Sequence, residues 1–219
     1  AVLLERAAGG PALIVAPTSV CGNGLAEAGR FAPTLQARIY GEASEASRDE
    51  LIQSAGPQDL LIVSYTLLQL AQERFSGRQW HTVIADEAQA IKNAVAKRSQ
   101  AAFELQADFR LALTGTPVEN RLADLWSIMR FANPSLLGSL NRFNERFVGP
   151  IERQRDRNAQ HLLKRLIGPF VLRRTKTEVL QELPSRTELI LRVAPEASEA
   201  AHYEAIRRQA VDDINHTLD

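Results

Sequence analysis

Cysteine is almost missing from this chain: Cys21 stands alone among 219 residues, so no internal disulfide can staple the fold. Four histidines, His81, His161, His202 and His216, are too far apart to suggest a metal site, and no Cys/His grouping has ligand spacing. No window of roughly 18 apolar residues occurs, which excludes a transmembrane helix. A secretory signal, with its basic, apolar and small-residue order, is also lacking. These absences fit a reducing compartment, cytoplasmic or nuclear, with no secretion and no membrane. An apolar share of 45%, with 12 Gly and 10 Pro, excludes collagen-like, low-complexity and disordered classes. The length suits one large domain or two small ones.

Net charge is absent as well, with 26 Lys+Arg against 26 Asp+Glu. Zero net charge argues against a polyanionic partner until it is mapped along the chain. Residues 142–176 hold ten basic side chains against three acidic ones, whereas residues 1–91 hold six against ten. A local excess of this size can neutralise phosphates, and it equally fits a solvated helical face.

Short apolar runs alternate with amphipathic stretches over the first 133 residues. Ala12–Ala16, Ala37–Tyr40, Leu60–Val63, Thr82–Ala85 and Leu111–Leu113 read as strands. Ser19–Ala32, Ser44–Ala55, Tyr65–Phe75, Ala94–Gln106 and Leu122–Ala132 read as helices. Continuously apolar strands joined by helical crossovers predict an α/β fold, a doubly wound parallel sheet with helices on both faces. Ligands of such sheets bind at the carboxyl ends of the strands. After Asn133-Pro134 the rhythm stops, and Pro150, Pro169 and Pro184 punctuate helical pieces that carry the basic block. Glu188–Val193 reads as one more strand, and Pro195-Glu196 opens a last helix.

Four stretches carry candidate chemistry. The strand ending in Asp86-Glu87 puts two carboxylates at the sheet's carboxyl edge, where one can hold Mg²⁺ through water and the other can polarise an attacking water. This is Walker-B chemistry, although such a pair also serves simply to cap a following helix. Leu113-Thr-Gly-Thr-Pro117 reads as a rigid loop reaching over the same edge, or as a turn with Thr116 as N-cap and Pro117 at the first helical position. Ala16-Pro-Thr-Ser19 and Leu61-Ile-Val-Ser-Tyr65 place hydroxyls and free amides at helix starts, with Thr18 or Ser19 expected as a cap; such groups suit phosphate oxygens.

Together, in this order, the stretches resemble the first RecA-like lobe of the Swi/Snf-related DNA translocases, a branch of the second helicase superfamily. Leu13–Val20 resembles motif Ia, Asp59–Tyr65 motif Ib, Asp86-Glu-Ala-Gln89 motif II and Leu113–Leu122 motif III. Asp124–Ile128, Phe143–Phe147, Gly149–Glu152 and Pro169–Lys176 match later segments, so the resemblance covers nearly the whole chain.

The resemblance implies that Asp86 binds the Mg²⁺ of ATP and that Glu87 positions or deprotonates the hydrolytic water. Gln89, with Thr114, Gly115 and Thr116, would couple the nucleotide site to a DNA-tracking surface. Thr18, Ser19, Ser64, Tyr65, Lys92, Asn93, Arg173 and Arg174 fall where the family meets or approaches the backbone of double-stranded DNA. A protein on that DNA is a further implied partner, and the chain is expected to act as a monomer. The implied domains are a partial ATPase lobe over residues 1–133, a basic protrusion and linker over 134–176, and a strand and helix over 177–219 that lead toward a second lobe. Arg153, Arg155 and Arg157 match no motif.

Two departures bear on this reading. Gly24 stands where the family has a Trp, which puts the order of the helix Ser19–Ala32 in question. No glycine is followed by lysine, so the phosphate loop ending Gly-Lys-Thr/Ser is missing. The chain opens on Ala1, and Ala1–Ala8 reads as the tail of an amphipathic helix, so a longer parent with that loop upstream is expected. The parent would hydrolyse ATP while moving along duplex DNA, and the fragment alone would be inactive. A non-catalytic nucleic-acid-binding or protein-docking module, and a strand-separating helicase, are the competing readings.

Overall fold

The computed structural model describes residues 2–115, 121–174 and 196–218. Thr116, Lys176, the expected cap at Thr116-Pro117 and the expected strand Glu188–Val193 lie outside the described residues. Contacts divide the chain into a unit ending at Val171 and another beginning at Leu172.

Five strands form one wholly parallel sheet: β1 (Ala12–Ala16), β2 (Gln36–Ile39), β3 (Asp59–Ser64), β4 (Gln79–Ala85) and β5 (Gln106–Ala112), in the order β2-β3-β1-β4-β5. Each of the five strands expected in the first 133 residues is present, and β4 and β5 begin three and five residues earlier than their apolar runs. Leu13, Val15, Leu61, Ile62, Val63, Val83 and Ala85 are buried, because helices cover both faces of a parallel sheet. The crossover from β1 runs toward β2, and that from β4 runs toward β5. The topological switch point therefore lies between the adjacent strands β1 and β4.

The helices of the lobe are α1 (Val2–Arg6), α2 (Thr18–Phe31), α3 (Glu45–Gln53), α4 (Tyr65–Leu70), α5 (Gln72–Ser76), α6 (Lys97–Phe103) and α7 (Leu122–Ala132). α2 runs unbroken through Gly22 and Gly24, so the expected weakness at Gly24 is corrected. Alternative packing holds the helix there: Cys21 and Ala28 lie in a cluster with Ala12, Leu35, Leu60 and Ile62. The stretch Tyr65–Phe75 is two helices rather than one, divided at Ala71. Residues 93–96 are not helical because the Asn93 side chain accepts from Val95 N at 3.2 Å, a local turn that competes with the helix.

Close backbone approach explains Gly9-Gly10. A Cβ on either would clash with His81, and Gly10 has a φ of +150°, a region open to glycine and to few other residues. Arg6 caps this end of the sheet, donating to Thr82 Oγ1 at 3.0 Å and lying 4.6 Å from the Phe109 ring centre. Beneath the sheet, Phe75 stacks on Trp80 at 6.2 Å and meets Tyr40 edge-on at 4.9 Å. Pairs of this kind add about 1 kcal/mol beyond the area they bury.

α7 explains how the helical extension is attached. Ile128 and Phe131 enter the sheet's core, while Leu125, Trp126 and Met129 join Leu137, Phe143, Phe147 and Leu163 in another. α7 carries apolar side chains on two sides, and both are buried. Its outer partners are α8 (Leu140–Phe143), a π-helix over Asn144–Arg153, and α9 (Arg157–Ile167). The extension thus packs on the outer side of α7. Pro150, expected to break the chain's winding, lies inside the π-helix. Gly149 precedes it and has no Cβ to meet the proline ring.

In the second unit, α10 (Ala197–Leu218) is a 22-residue helix. Glu204 pairs with Arg207 at 2.7 Å and Arg208 at 3.2 Å along its exposed surface.

Candidate nucleotide-hydrolysis site

Parallel strands bring their carboxyl ends to one edge, and the register aligns Ala16 with Ser64, Val15 with Ala85, and Ala85 with Ala112. The residues that follow these strands, Pro17-Thr-Ser19, Tyr65, Asp86-Glu87 and Leu113-Thr-Gly115, therefore share that edge. Neighbouring strands are about 4.8 Å apart, so each segment is within side-chain reach of the next.

The turn after β4 is pinned by its neighbours. Asp86 N donates to Val15 O and Ala88 N to Leu113 O, both at 2.8 Å, and Leu113 N donates to Ala85 O at 2.8 Å. Glu87 between them adopts φ 47°, ψ 51°, a left-handed conformation that costs a non-glycine residue roughly 1–2 kcal/mol. A short 3₁₀ segment, Ala88–Ile91, follows. Its end is held by two buried serines, Ser99 Oγ at 3.1 Å and Ser127 Oγ, which both donate to the Ile91 carbonyl.

This scaffold presents a chain of polar groups. Gln89 Nε2 donates to Glu87 Oε2 at 2.6 Å, and Thr114 Oγ1 donates to Gln89 Oε1 at 2.8 Å. Gln89 can serve both partners because its amide is donor and acceptor at once. Glu87 is exposed, and Asp86 is half-buried. Asp86 Oδ1 accepts from Glu87 N at 2.9 Å, while its second oxygen has no hydrogen-bond partner among the described residues. That oxygen is a hard anionic donor suited to Mg²⁺, which keeps most of its waters and needs only one or two carboxylates. No group of three or more potential ligands occurs among the described residues.

The other expected residues divide into two kinds. Thr18 and Ser19 are exposed in the first turn of α2. They are not caps: the N-cap is Pro17, and Val20 N bonds Pro17 O at 2.9 Å. Asn93 is exposed and Lys92 half-buried, and Arg173 and Arg174 are exposed in the second unit. Ser64 and Tyr65 differ, being 5% and 3% exposed. The Ser64 hydroxyl caps α4, accepting from Leu67 N at 3.2 Å. Tyr65 Oη donates to the Asp86 carbonyl oxygen at 2.8 Å. Burial and then the Asp86 charge hold the Tyr65 phenol well above its usual pKa, with Arg98 opposing, so it remains a donor. Expected as DNA contacts, these two side chains face inward.

Sequence reasoning missed two supports, the backbone of Leu113 and the paired serines on Ile91, and one nearby charge, Arg98 near Tyr65. The first two are hydrogen bonds between segments distant in sequence, which no local pattern reveals. Arg98 carried a weak signal, as one of two consecutive basic residues, Lys97-Arg98.

A model of the SNF2-related domain matches residues 3–218. The chain is 41% identical over 204 residues to the Bacillus subtilis protein YwqA, covering 92% of this chain and 22% of that protein. It is 34% identical over 220 residues to the Arabidopsis thaliana chromatin-remodeling ATPase INO80, covering 94% of this chain and 14% of that one. Among solved structures, the Sulfolobus solfataricus SWI2/SNF2 ATPase core in complex with dsDNA superposes with a TM-score of 0.70 at 35% identity, over 97% of this chain and 44% of that chain. The chain spans about a fifth of the length of the curated relatives it matches. Its sheet order, its carboxylate turn and the match over nearly its full length place this chain in the SNF2-related domain family, with the RecA-like α/β fold of the SWI2/SNF2 ATPase core.

Proposed function

We propose that this chain supplies the water-activating half of an ATP-hydrolysing site in a larger protein that moves along double-stranded DNA. The observation that carries this reading is the Thr114–Gln89–Glu87 chain, which orients one carboxylate at the open edge of the sheet beside a second, partly unpartnered one. Glu87 orients the attacking water and takes its proton, and Gln89 fixes the carboxylate for that transfer. Asp86 holds Mg²⁺ through water, and the bound ion supplies charge neutralisation at the phosphates.

The phosphates themselves need a cradle that these residues do not offer, since no Gly-Lys pair exists in the sequence. β5 is paired on one side only among the described residues, yet Phe109, Leu111 and Ala112 are half-buried. In the whole protein, a strand carrying the phosphate loop pairs along that edge. The 219 residues alone are expected to release no phosphate from ATP, because they lack most of the charge stabilisation that phosphoryl transfer needs.

Duplex DNA is met through its phosphates by the first turn of α2 at Thr18 and Ser19, by Lys92 and Asn93, and by Arg173 and Arg174. Free amides and the positive end of α2's dipole suit an anionic oxygen. Contacts of this kind carry no sequence information, which suits motion along any duplex. In domain terms, residues 1–133 form the lobe, 134–176 a basic protrusion and linker, and 177–219 the approach to a second lobe. Fluorescence anisotropy with two unrelated duplexes at two salt concentrations tests the DNA assignment. Equal affinities that fall steeply with salt are expected; sequence-selective or salt-independent binding contradicts it.

A further inference from the structure

One hydrogen bond joins two stretches that the sequence presents as separate motifs. Tyr65 Oη donates to the Asp86 carbonyl oxygen at 2.8 Å, and the tyrosine is almost fully buried. That carbonyl lies just beyond Ala85, the last residue of β4 in register with β5, so the sheet ladder does not hold it. It belongs to the peptide that joins the two carboxylate residues, immediately before the left-handed turn at Glu87. A glutamate keeps such a conformation only where its surroundings fix it.

Three bonds do the fixing. Val15 and Leu113 hold the amides of Asp86 and Ala88, both through backbone carbonyls at the ends of neighbouring strands. The third comes from Tyr65, a side chain on the first residue of α4, directly after the Ser64 cap. The start of α4 cannot shift without carrying the Asp86–Glu87 peptide with it or breaking this bond. The phenol has a single donor to give, and that donor is committed to the carbonyl.

We propose that Tyr65 is a positioning residue for hydrolysis: it fixes the Asp86–Glu87 peptide, sets the direction of both carboxylates, and makes their geometry depend on where α4 begins. This rests on the reading of Asp86 and Glu87 as the hydrolytic pair and deepens it. Tyr65 is 3% exposed and its hydroxyl is committed to this carbonyl, so it acts through the peptide. A displacement of the Ser64–Tyr65 corner by a bound duplex reaches the carboxylates through one bond.

Tyr65→Phe in the whole protein keeps the ring and removes the donor. The expected result is a DNA-stimulated kcat lower by about tenfold, and a higher Mg²⁺ concentration for half-maximal rate. KM for ATP and Kd for a duplex should stay within about twofold of wild type. An unchanged kcat and Mg²⁺ requirement overturns the proposal. A loss confined to DNA affinity also overturns it, returning Tyr65 to the DNA surface. If the variant melts below the assay temperature, 3-fluorotyrosine at position 65 replaces it, keeping ring and hydroxyl while altering donor strength; a changed kcat supports the proposal and an unchanged one overturns it. Failure of the underlying reading is distinguishable, since the wild-type protein would then show no DNA-stimulated hydrolysis.

Discussion

Thr114 Oγ1 donates to Gln89 Oε1 at 2.8 Å, so the end of β5 is tied to the side chain that itself grips Glu87. Gln89→Ala removes both bonds and leaves the Glu87 carboxylate free to rotate. In the whole protein, kcat should fall by on the order of tenfold or more, because a misplaced general base loses most of its advantage. Gln89 is half-buried and lies outside the apolar clusters, so the folding stability should change by less than about 1 kcal/mol. Steady-state hydrolysis and a denaturant titration on the same variant check both.

Glu87 holds a left-handed conformation that is costly for a non-glycine residue. Asparagine tolerates the left-handed region better than glutamate, so Glu87→Asn should stabilise the fold by roughly 0.5–1 kcal/mol while abolishing hydrolysis in the whole protein. A shift of the unfolding midpoint to higher denaturant, with the slope unchanged, is the expected observation.

Ile91 offers a test of redundancy. Ser99 and Ser127 both donate to its carbonyl from buried positions. Either Ser→Ala alone leaves the carbonyl one partner and should cost about 1 kcal/mol. The double variant strands a buried acceptor and should cost about 1–3 kcal/mol beyond the sum. A double-mutant cycle by chemical denaturation measures the excess.

Much of this was legible in advance, for identifiable reasons. The five strands are short apolar runs between helical periods, a signal that survives in any single sequence. Asp86, Glu87, Gln89 and Thr114 fall together because each follows a strand, and a parallel sheet sends all such residues to one edge. What was not legible depends on orientation and on distant packing. Tyr65 opens a helix directly after β3, where a hydroxyl suits phosphate, yet its ring lies in the sheet's core and its hydroxyl meets the Asp86 carbonyl. α7 was recognised as a helix, but its role as a shared wall between two cores needs the position of Phe143 and Leu163. Pro150 was expected to break a helix, and the π winding with Gly149 carries the chain through it.

Cys21 supplies the pH-dependent prediction. Burial raises its pKa above the ordinary value of 9.0, and its thiol faces Pro17 O at 3.5 Å. The folded state therefore keeps the thiol protonated where the unfolded chain ionises. Stability from this group is fully present below about pH 9 and declines as pH rises beyond it. At pH 8 the native thiol should resist alkylation by iodoacetamide and react at once after unfolding in denaturant. Rapid labelling of the native chain would show that α2 opens.

Glu87 is expected to activate water for DNA-dependent ATP hydrolysis in the protein that carries this chain. Phosphate release by that whole protein, with and without duplex DNA, and by its Glu87→Gln variant, tests it most directly. The expected result is turnover that rises with duplex DNA and falls at least about a hundredfold in the variant, with ATP still bound. Turnover that ignores DNA, or that survives Glu87→Gln, would contradict it.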